Sequence, residues 1–277
     1  MSAGDWMLDE GMLRAGALGG FWTAIDVVAS TGSTNADLMA RAVAAPGFAE
    51  GQVLAAEEQT AGRGRRGRSW SSVPGASLTF SVLLRPAPVP PGRRGWLPLL
   101  AGVAVVSAVR TVAGVAAVLK WPNDVLVGER KLAGILAEQS PDGSAVVIGI
   151  GLNVATPAGA LPVSPAGLPA TSLRAEGAAV SRETLLLAIL GQLERWYLAF
   201  RADPDPARSG VLDAYRSLCA TLGQPVRVEL PVGRVVTGVA SDIDSDGRLL
   251  IAGDSGDSRT PVSAGDVIHV RPGRAGT

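Results

Sequence analysis

The densest concentration of chemistry-bearing side chains is Gly62-Arg63-Gly64-Arg65-Arg66-Gly67-Arg68-Ser69-Trp70, where four arginines fall within six residues. Guanidinium groups pair bidentately with phosphate or carboxylate, and interleaved glycines let backbone amides close around an anion. The segment is expected to be an anion-holding loop, mobile until its ligand arrives. A solvated basic turn or a nucleic-acid contact would use the same residues. The loop lacks the Gly-Lys-Ser/Thr ending of a nucleotide-binding P-loop. Trp70, directly after it, is either a core residue or a face on which a base stacks.

A second cluster is Lys120-Trp121-Pro122-Asn123-Asp124, followed by Lys131-Leu132-Ala133-Gly134-Ile135-Leu136-Ala137-Glu138. With the two-residue period of a strand, Lys131 shares a face with Ala133, Ile135 and Ala137. An ammonium on such an apolar surface either snorkels to water or meets a counter-anion. Asp124 either caps the turn after Pro122 or takes part in the chemistry. A third segment, Val147-Ile148-Gly149-Ile150-Gly151-Leu152-Asn153-Val154, alternates so that Ile148, Ile150 and Leu152 share one face and Gly149, Gly151 and Asn153 the other. Glycine in a strand marks close approach by a ligand or another backbone, or tight helix packing. Together the three segments describe an apolar, glycine-lined pocket with one embedded lysine, roofed by a basic loop. Such a pocket suits a ligand that is both hydrophobic and negatively charged.

These residues need a scaffold. Ser33-Thr34-Asn35 precedes an apolar stripe at helical spacing and is expected to cap a first helix. Residues 52–57 and 77–84 are strand-like and flank the arginine loop. Residues 97–119 are the most apolar and are expected to form a buried helix, interrupted by Arg110 and too short in its charge-free run to cross a bilayer. Strand-like runs follow at 118–121, 131–137 and 145–154, with Gly128-Glu129-Arg130 spaced as a hairpin turn. The Pro/Gly-rich stretch 156–170 is expected to be a surface loop. Helical periodicity returns at 181–197, with Ser181 as cap, and around 207–222. From Gln224 short alternating strands at 226–230, 235–240, 248–251 and 267–270 predict a small β-barrel.

Composition narrows the field. The 277 residues carry 25 basic and 25 acidic side chains, so the molecule lacks the overall positive field of a general nucleic-acid binder, and any basic function is local. One cysteine and one histidine exclude an internal disulfide, a zinc cage and a multi-histidine metal site. Ser-His-Asp catalysis is not expected, because His269 lies far along the chain in a strand-like run. The first twenty residues contain Asp5, Asp9 and Glu10 and do not form a secretory signal, so a cytoplasmic protein is expected.

Gly62 to Arg68, Lys120 to Asp124, Lys131 to Leu136 and Gly149 to Asn153, in that order, resemble the signature blocks of biotin protein ligases. With Ser33-Thr34-Asn35 and the terminal barrel, the resemblance spans residues 22–271. It implies an α/β (α+β) fold: a catalytic domain resembling class II aminoacyl-tRNA synthetases, with a mixed sheet and packed helices, and a C-terminal SH3-like β-barrel. The implied boundaries are an N-terminal extension at 1–21, a catalytic domain at 22–222 and the barrel at 223–277. Some members carry an N-terminal DNA-binding helix-turn-helix, for which the residues preceding the core are too few, so the resemblance is to the short form.

The reaction implied by the resemblance is attack of the biotin carboxylate on the α-phosphorus of ATP, aided by Mg²⁺. The biotin then passes to a lysine of a biotin carboxyl carrier protein domain of a biotin-dependent carboxylase. No DNA or membrane partner is implied, and the expected state is a monomer or weak homodimer. Lys131 and Arg66 are the expected catalytic residues. Biotin is assigned to Ser33, Thr34, Asn35, Gln59, Gly62, Arg63, Arg66, Lys131, Gly134 and Gly151. The nucleotide is assigned to Arg65, Arg66, Arg68, Trp70, Lys120, Asn123, Asp124 and Asn153, and no residue is assigned to a resident metal. A lipoate or octanoate ligase of the same fold is the nearest alternative, which the arginine-rich loop disfavours. A nucleic-acid-binding module is the other.

Overall fold

The computed structural model describes residues 7–45, 47–161, 168–230, 234–253, 259–263 and 266–269. Among these, seven strands form one mixed sheet in the order β1-β2-β3-β7-β6-β5-β4. The strands are β1 (Ala24–Thr31), β2 (Gln52–Gln59), β3 (Ser77–Leu84), β4 (Ala117–Lys120), β5 (Asp124–Val127), β6 (Arg130–Gln139) and β7 (Val146–Asn153). β1 and β2 run parallel and the other neighbours antiparallel. The mixed sheet with packed helices follows the sequence expectation.

The predicted alternation in β7 holds. Ile148, Ile150 and Leu152 are buried in the main core, facing helices α3 (Trp96–Ala108) and α4 (Arg182–Ala202). Gly149, Gly151 and Asn153 face the opposite side. That side is only half covered: helix α2 (Thr34–Ala44) packs on it through Leu38 and Ala42, forming a second small core with Leu54, Leu83, Ala145 and Val147. The uncovered half is the floor of a cavity.

Ser33 caps α2 as expected, its side chain accepting from the Ala36 N–H. It is not the first helix, however. α1 (Glu10–Ala17), capped by Asp9, precedes it and lies on α4 and the free edge of β1. There Arg14 Nε donates to the Ile25 carbonyl and Glu10 accepts from the Val27 N–H, so side chains satisfy an edge that has no strand partner. The short polar stretch showed one buried apolar side chain in its helix, Leu13, too weak a stripe to signal it. β1 was also not anticipated.

The apolar stretch expected to be one helix from 97 to 119 divides. α3 ends at Ala108, a wider turn runs to Ala113, Gly114 stops it in the left-handed conformation, and residues 117–120 are strand β4. Length and hydropathy alone would let Pro91–Ala113 cross a membrane, but 67% of its 18-residue apolar window is buried inside the protein. Every residue of α3 except Pro98 and Ser107 is buried, which is why its sequence is apolar all round. α4 is longer than its periodic stretch and is tied to β2 by a buried pair in which Arg182 meets Glu57 at 2.5 Å. α5 (Val211–Leu218) leads to the terminal strands.

Those strands, β8 (Pro225–Glu229), β9 (Val235–Ile243), β10 (Leu249–Ala252), β11 (Arg259–Val262) and β12 (Asp266–His269), form an antiparallel sheet in the order β11-β10-β9-β8-β12. β11 escaped the sequence pattern because Pro261 interrupts it. Val226, Val228, Ala240, Ile243, Leu249 and Ile251 join the main core. Two indoles fasten the sheet: Trp96 Nε1 donates to Ser245 O at 3.0 Å and Trp121 Nε1 to Gly247 O at 3.2 Å. The terminal sheet is thereby fixed beside the cavity.

Candidate active site

A cavity of about 840 Å³ lies above the bare half of the large sheet, within the size range of small-molecule sites. Its wall brings together Ser33, Thr34, Asn35, Gln59, Arg63, Arg65, Arg68, Trp70, Lys120, Asn123, Asp124, Lys131, Gly134, Gly151 and Asn153, all expected from the sequence. Two expected residues stand outside it. Gly62 is buried beneath the loop, and Arg66 is exposed, with Nη1 donating to the Glu229 carbonyl at 3.2 Å.

The geometry of the arginine segment explains both. Trp70 N donates to Gly62 O at 2.9 Å and Gly64 N to Arg68 O at 2.6 Å, so the loop is a hairpin. A side chain at Gly62 would place its Cβ 2.4 Å from Trp70 O, so the crossing requires glycine. At the tip Arg66 and Gly67 both have positive φ, 57° and 73°, as a tight right-twisting hairpin demands. Arg66 spends its conformation on the turn and points outward. Arg63, Arg65 and Arg68 point to the cavity. Arg65 Nη1 donates to Asn123 Oδ1 at 3.1 Å and Arg63 Nη2 lies 3.3 Å from Glu138 Oε2.

The Lys131 ammonium has a counter-anion, Asp124 Oδ1, at 2.6 Å; their side chains are 20% and 18% exposed. The strict two-residue period put Lys131 with Ala133, Ile135 and Ala137. The structure corrects this: pairing shifts from Val125↔Ala133 to Leu126↔Lys131, so Leu132 is the extra residue of a bulge. Ala133 and Ile135 face the core, while Lys131 stands over the other face, its Nζ 3.4 Å from where a Cβ of Gly134 would be. The backbone is clamped there: Lys131 N donates to Pro169 O and Lys131 O accepts from Thr171 N, both at 2.8 Å. Part of the expected surface loop 156–170 is thus cavity wall, while residues 162–167 lie outside the described residues. Asn123 locks the preceding turn, its O accepting from Ile135 N and its Nδ2 donating to Ile135 O.

The glycine floor is narrow because side chains approach it, rather than another backbone. A Cβ on Gly151 would sit 2.2 Å from Trp70 Cε2, and one on Gly149 would sit 2.3 Å from Asn35 Oδ1. The Trp70 ring lies on this floor with Lys131 Nζ 5.8 Å from its centroid, within cation–π reach. Asn153 Nδ2 donates to Thr171 O.

The wall carries five cationic side chains (Arg63, Arg65, Arg68, Lys120, Lys131) against three carboxylates (Asp124, Glu129, Glu229). The whole chain is neutral, so the positive field is local, as composition required. Among the described residues no group of three or more His, Cys, Asp or Glu could hold a metal ion.

Three participants were not anticipated. His269, from β12, lines the cavity with Nε2 3.2 Å from Thr221 Oγ1. Burial, reinforced by the Lys120 charge, holds its imidazole below the ordinary histidine range. Ser81 and Glu138 bond to side chains on the wall. The period of β3 could have flagged Ser81, a hydroxyl on the strand face shared with Thr79; nothing in the sequence marked Glu138.

Residues 28–154 match the profile described as the Biotin/lipoate A/B protein ligase family, and residues 221–270 that of the biotin protein ligase C terminal domain. The chain is 45% identical over 271 residues to a biotin--[acetyl-CoA-carboxylase] ligase of Mycobacterium tuberculosis, covering 95% of this chain and 96% of the relative. It is 34% identical to a protein of the same name from Paracoccus denitrificans, covering 86% and 98%. Its fold superposes on a biotin protein ligase of Aquifex aeolicus in complex with biotin and ATP with a TM-score of 0.74 and 26% identity, over 90% of this chain and all of that one. The Leishmania major biotin protein ligase in complex with biotinyl-5-AMP gives 0.59 and 25%, covering 87% of this chain and 98% of that one.

Proposed function

We propose a division of labour among the cavity residues from one premise: this chain belongs to the biotin protein ligase family. It is an enzyme that activates biotin with ATP and transfers it to a carboxylase. In the first step a biotin carboxylate oxygen bonds to the α-phosphorus as the bond to pyrophosphate breaks, giving biotinyl-5'-AMP. In the second the amine of an acceptor lysine attacks the anhydride carbonyl, loses a proton and expels AMP.

Two anions must meet in the first step. At about 4 Å and an effective dielectric near 20 their repulsion is about 4 kcal/mol. The observation that carries the assignment is the Lys131 ammonium, fixed by Asp124 at 2.6 Å beside the glycine floor. Standing between carboxylate and α-phosphate, it offsets that repulsion and stabilises charge that grows toward the transition state. Asp124 acts as the placeholder anion that keeps the Lys131 side chain aimed before substrates enter.

The biotin ring occupies the end formed by Ser33, Thr34, Asn35 and Gln59, with Gly134 and Gly151 beneath its chain. Arg65, Arg68, Lys120, Asn123 and Asn153 hold the nucleotide, and Trp70 leaves the glycine floor to stack on adenine. The arginine hairpin folds over the labile anhydride and excludes water. Gly62 shapes the hairpin, and the ligand contact expected from Arg66 falls to Arg65, which faces the cavity. Mg²⁺ bound with ATP would supply neutralisation of the phosphate oxygens. The dispersed carboxylates fit that role, since Mg²⁺ on a nucleotide needs only one or two of them and no protein cage; Asp124 and Asn123 would hold it.

At the level of architecture, the large sheet with α2 to α5, residues 22–222, serves as a class II synthetase-like catalytic domain, preceded by an extension, residues 1–21, whose helix α1 packs on it. Residues 223–277 serve as an SH3-like domain, of which β8 and β12 border the cavity through Glu229, Val267, Ile268 and His269. The acceptor is a biotin carboxyl carrier protein domain, the protein works in the cytoplasm as a monomer or weak dimer, and neither DNA nor membrane is a partner.

Incubation with labelled biotin, ATP and a purified carrier domain, followed by calorimetric titration with biotin, lipoate and duplex DNA, tests this. Carrier labelling and biotin binding are expected. Equal or tighter binding of lipoate, or binding of DNA, would overturn the biotin assignment.

A further inference from the structure

Thr34, Ser81, Asn35, Glu138 and Arg63 form one continuous line of polar contacts beneath the cavity wall. Thr34 Oγ1 and Ser81 Oγ are 2.6 Å apart, Ser81 Oγ and Asn35 Oδ1 2.7 Å, Asn35 Nδ2 and Glu138 Oε2 2.8 Å, and Arg63 Nη2 and Glu138 Oε2 3.3 Å. Asn35 Nδ2 also donates to the Leu136 carbonyl at 3.1 Å. Ser81 is fully buried, and Thr34 and Asn35 nearly so.

The direction of every bond in this line follows from its ends. A carboxylate paired with arginine and a backbone carbonyl accept only, so the Asn35 amide must turn its NH₂ toward Glu138 and Leu136. Its oxygen then faces Ser81, and Ser81, with one proton, must donate to it. The short Thr34–Ser81 contact can be filled only by the Thr34 proton. Gln59 Oε1 accepts the Thr34 N–H at 2.9 Å and, through its second lone pair, is the longer alternative acceptor for the hydroxyl at 3.1 Å, so toward either partner the Thr34 proton is spent. The Thr34 hydroxyl therefore shows the cavity lone pairs and no proton.

We propose that Ser81 and Glu138 are positioning residues that fix the Thr34 hydroxyl as an acceptor and so set the enzyme's preference for a ring bearing an N–H donor. This rests on the biotin ring lying at Ser33, Thr34 and Gln59. The ureido ring presents two N–H groups, and an N–H on an acceptor-only oxygen is favourable where another oxygen acceptor is repelled. Chains of aligned hydrogen bonds polarise one another, so the anionic end at Glu138 also strengthens the acceptor at Thr34. A lone hydroxyl would rotate to suit either ligand and discriminate little.

The test compares dissociation constants for biotin and for the two cyclic carbamates in which one ureido N–H is replaced by oxygen. The wild-type enzyme is expected to bind the more weakly held carbamate at least about tenfold less well than biotin, one hydrogen bond's worth. In Ser81→Ala the Thr34 proton loses its shorter acceptor and the hydroxyl is free to rotate between Gln59 Oε1 and the cavity. The carbamate-to-biotin ratio should fall several-fold, with the ATP dissociation constant unchanged. Asn35→Ala, which frees the Ser81 proton to point back at Thr34, should lower the same ratio and provides the test should Ser81→Ala not fold. A ratio unchanged in Ser81→Ala, or in Asn35→Ala where that variant stands in, but lowered in Thr34→Val would overturn the proposal and leave the placement of the ring intact. Biotin affinity and ratio both unchanged in Thr34→Val would overturn the placement itself.

Discussion

Lys131 and Asp124 meet at 2.6 Å across a β-bulge that turns the lysine out of the core face of its strand. The bulge, the clamp by Pro169 and Thr171, and the carboxylate together hold one ammonium at the floor of an anion-seeking cavity.

Lys131→Ala should abolish most adenylation while the fold survives. Removing a preorganised charge at a developing anion costs about 10²–10³ in rate, whereas a side chain 20% exposed at the cavity floor contributes little packing. Pyrophosphate release and thermal melting measured together decide it. Adenylation within threefold of wild type would remove Lys131 from the mechanism. Asp124→Asn should slow adenylation less, by about tenfold, because the ammonium remains but loses a charge-assisted partner.

The two central arginines of the hairpin should separate cleanly. Arg65→Ala removes a cavity-facing guanidinium and should release biotinyl-5'-AMP about tenfold faster, corresponding to a charge-assisted contact of about 1.5 kcal/mol. Arg66→Gly should leave retention unchanged and hold the turn as well or better, since glycine accepts φ 57° without penalty. Mass spectrometry of a bystander protein mixed with each variant, biotin and ATP reads the leakage. Bystander labelling by Arg66→Gly and not by Arg65→Ala would reverse the assignment.

Gly151→Ala should disrupt the floor. The new Cβ would stand 2.2 Å from Trp70 Cε2, so the indole must move, and biotin affinity should fall at least about tenfold with no loss of core packing. Tryptophan emission should shift in the ligand-free variant. Unaltered emission together with wild-type affinity would show that Trp70 does not rest on Gly151.

His269 gives a pH signature. Burial and Lys120 lower its folded-state pKa beneath 6.5, so between those values the unfolded chain binds the proton and the folded chain does not. This residue therefore has no destabilising effect above pH 6.5, and stability is lost as pH falls below it. His269→Gln should flatten the fall in melting temperature between pH 7.5 and pH 5.5. An equally steep fall in the variant would exclude His269 as its source.

The chemistry was legible in short runs of sequence because its constraints are local. Arginines within one loop must share their anion, alternation fixed the two faces of β7, and Ser33 announced α2 by capping it. Position relative to the cavity was not legible, because it depends on contacts far apart in the chain. No periodicity shows that Leu132 is bulged, since the cause is the pairing of β6 with β5 and with Pro169 and Thr171. Nor does the order of arginines reveal that the turn takes Arg66, leaving Arg63 and Arg65 to face inward. Ser81 and Glu138 became meaningful only when β3, β6 and α2 brought them to Thr34 and Asn35, because the direction of a hydrogen bond is set by its partners and those lie 46 and 103 residues away from Asn35.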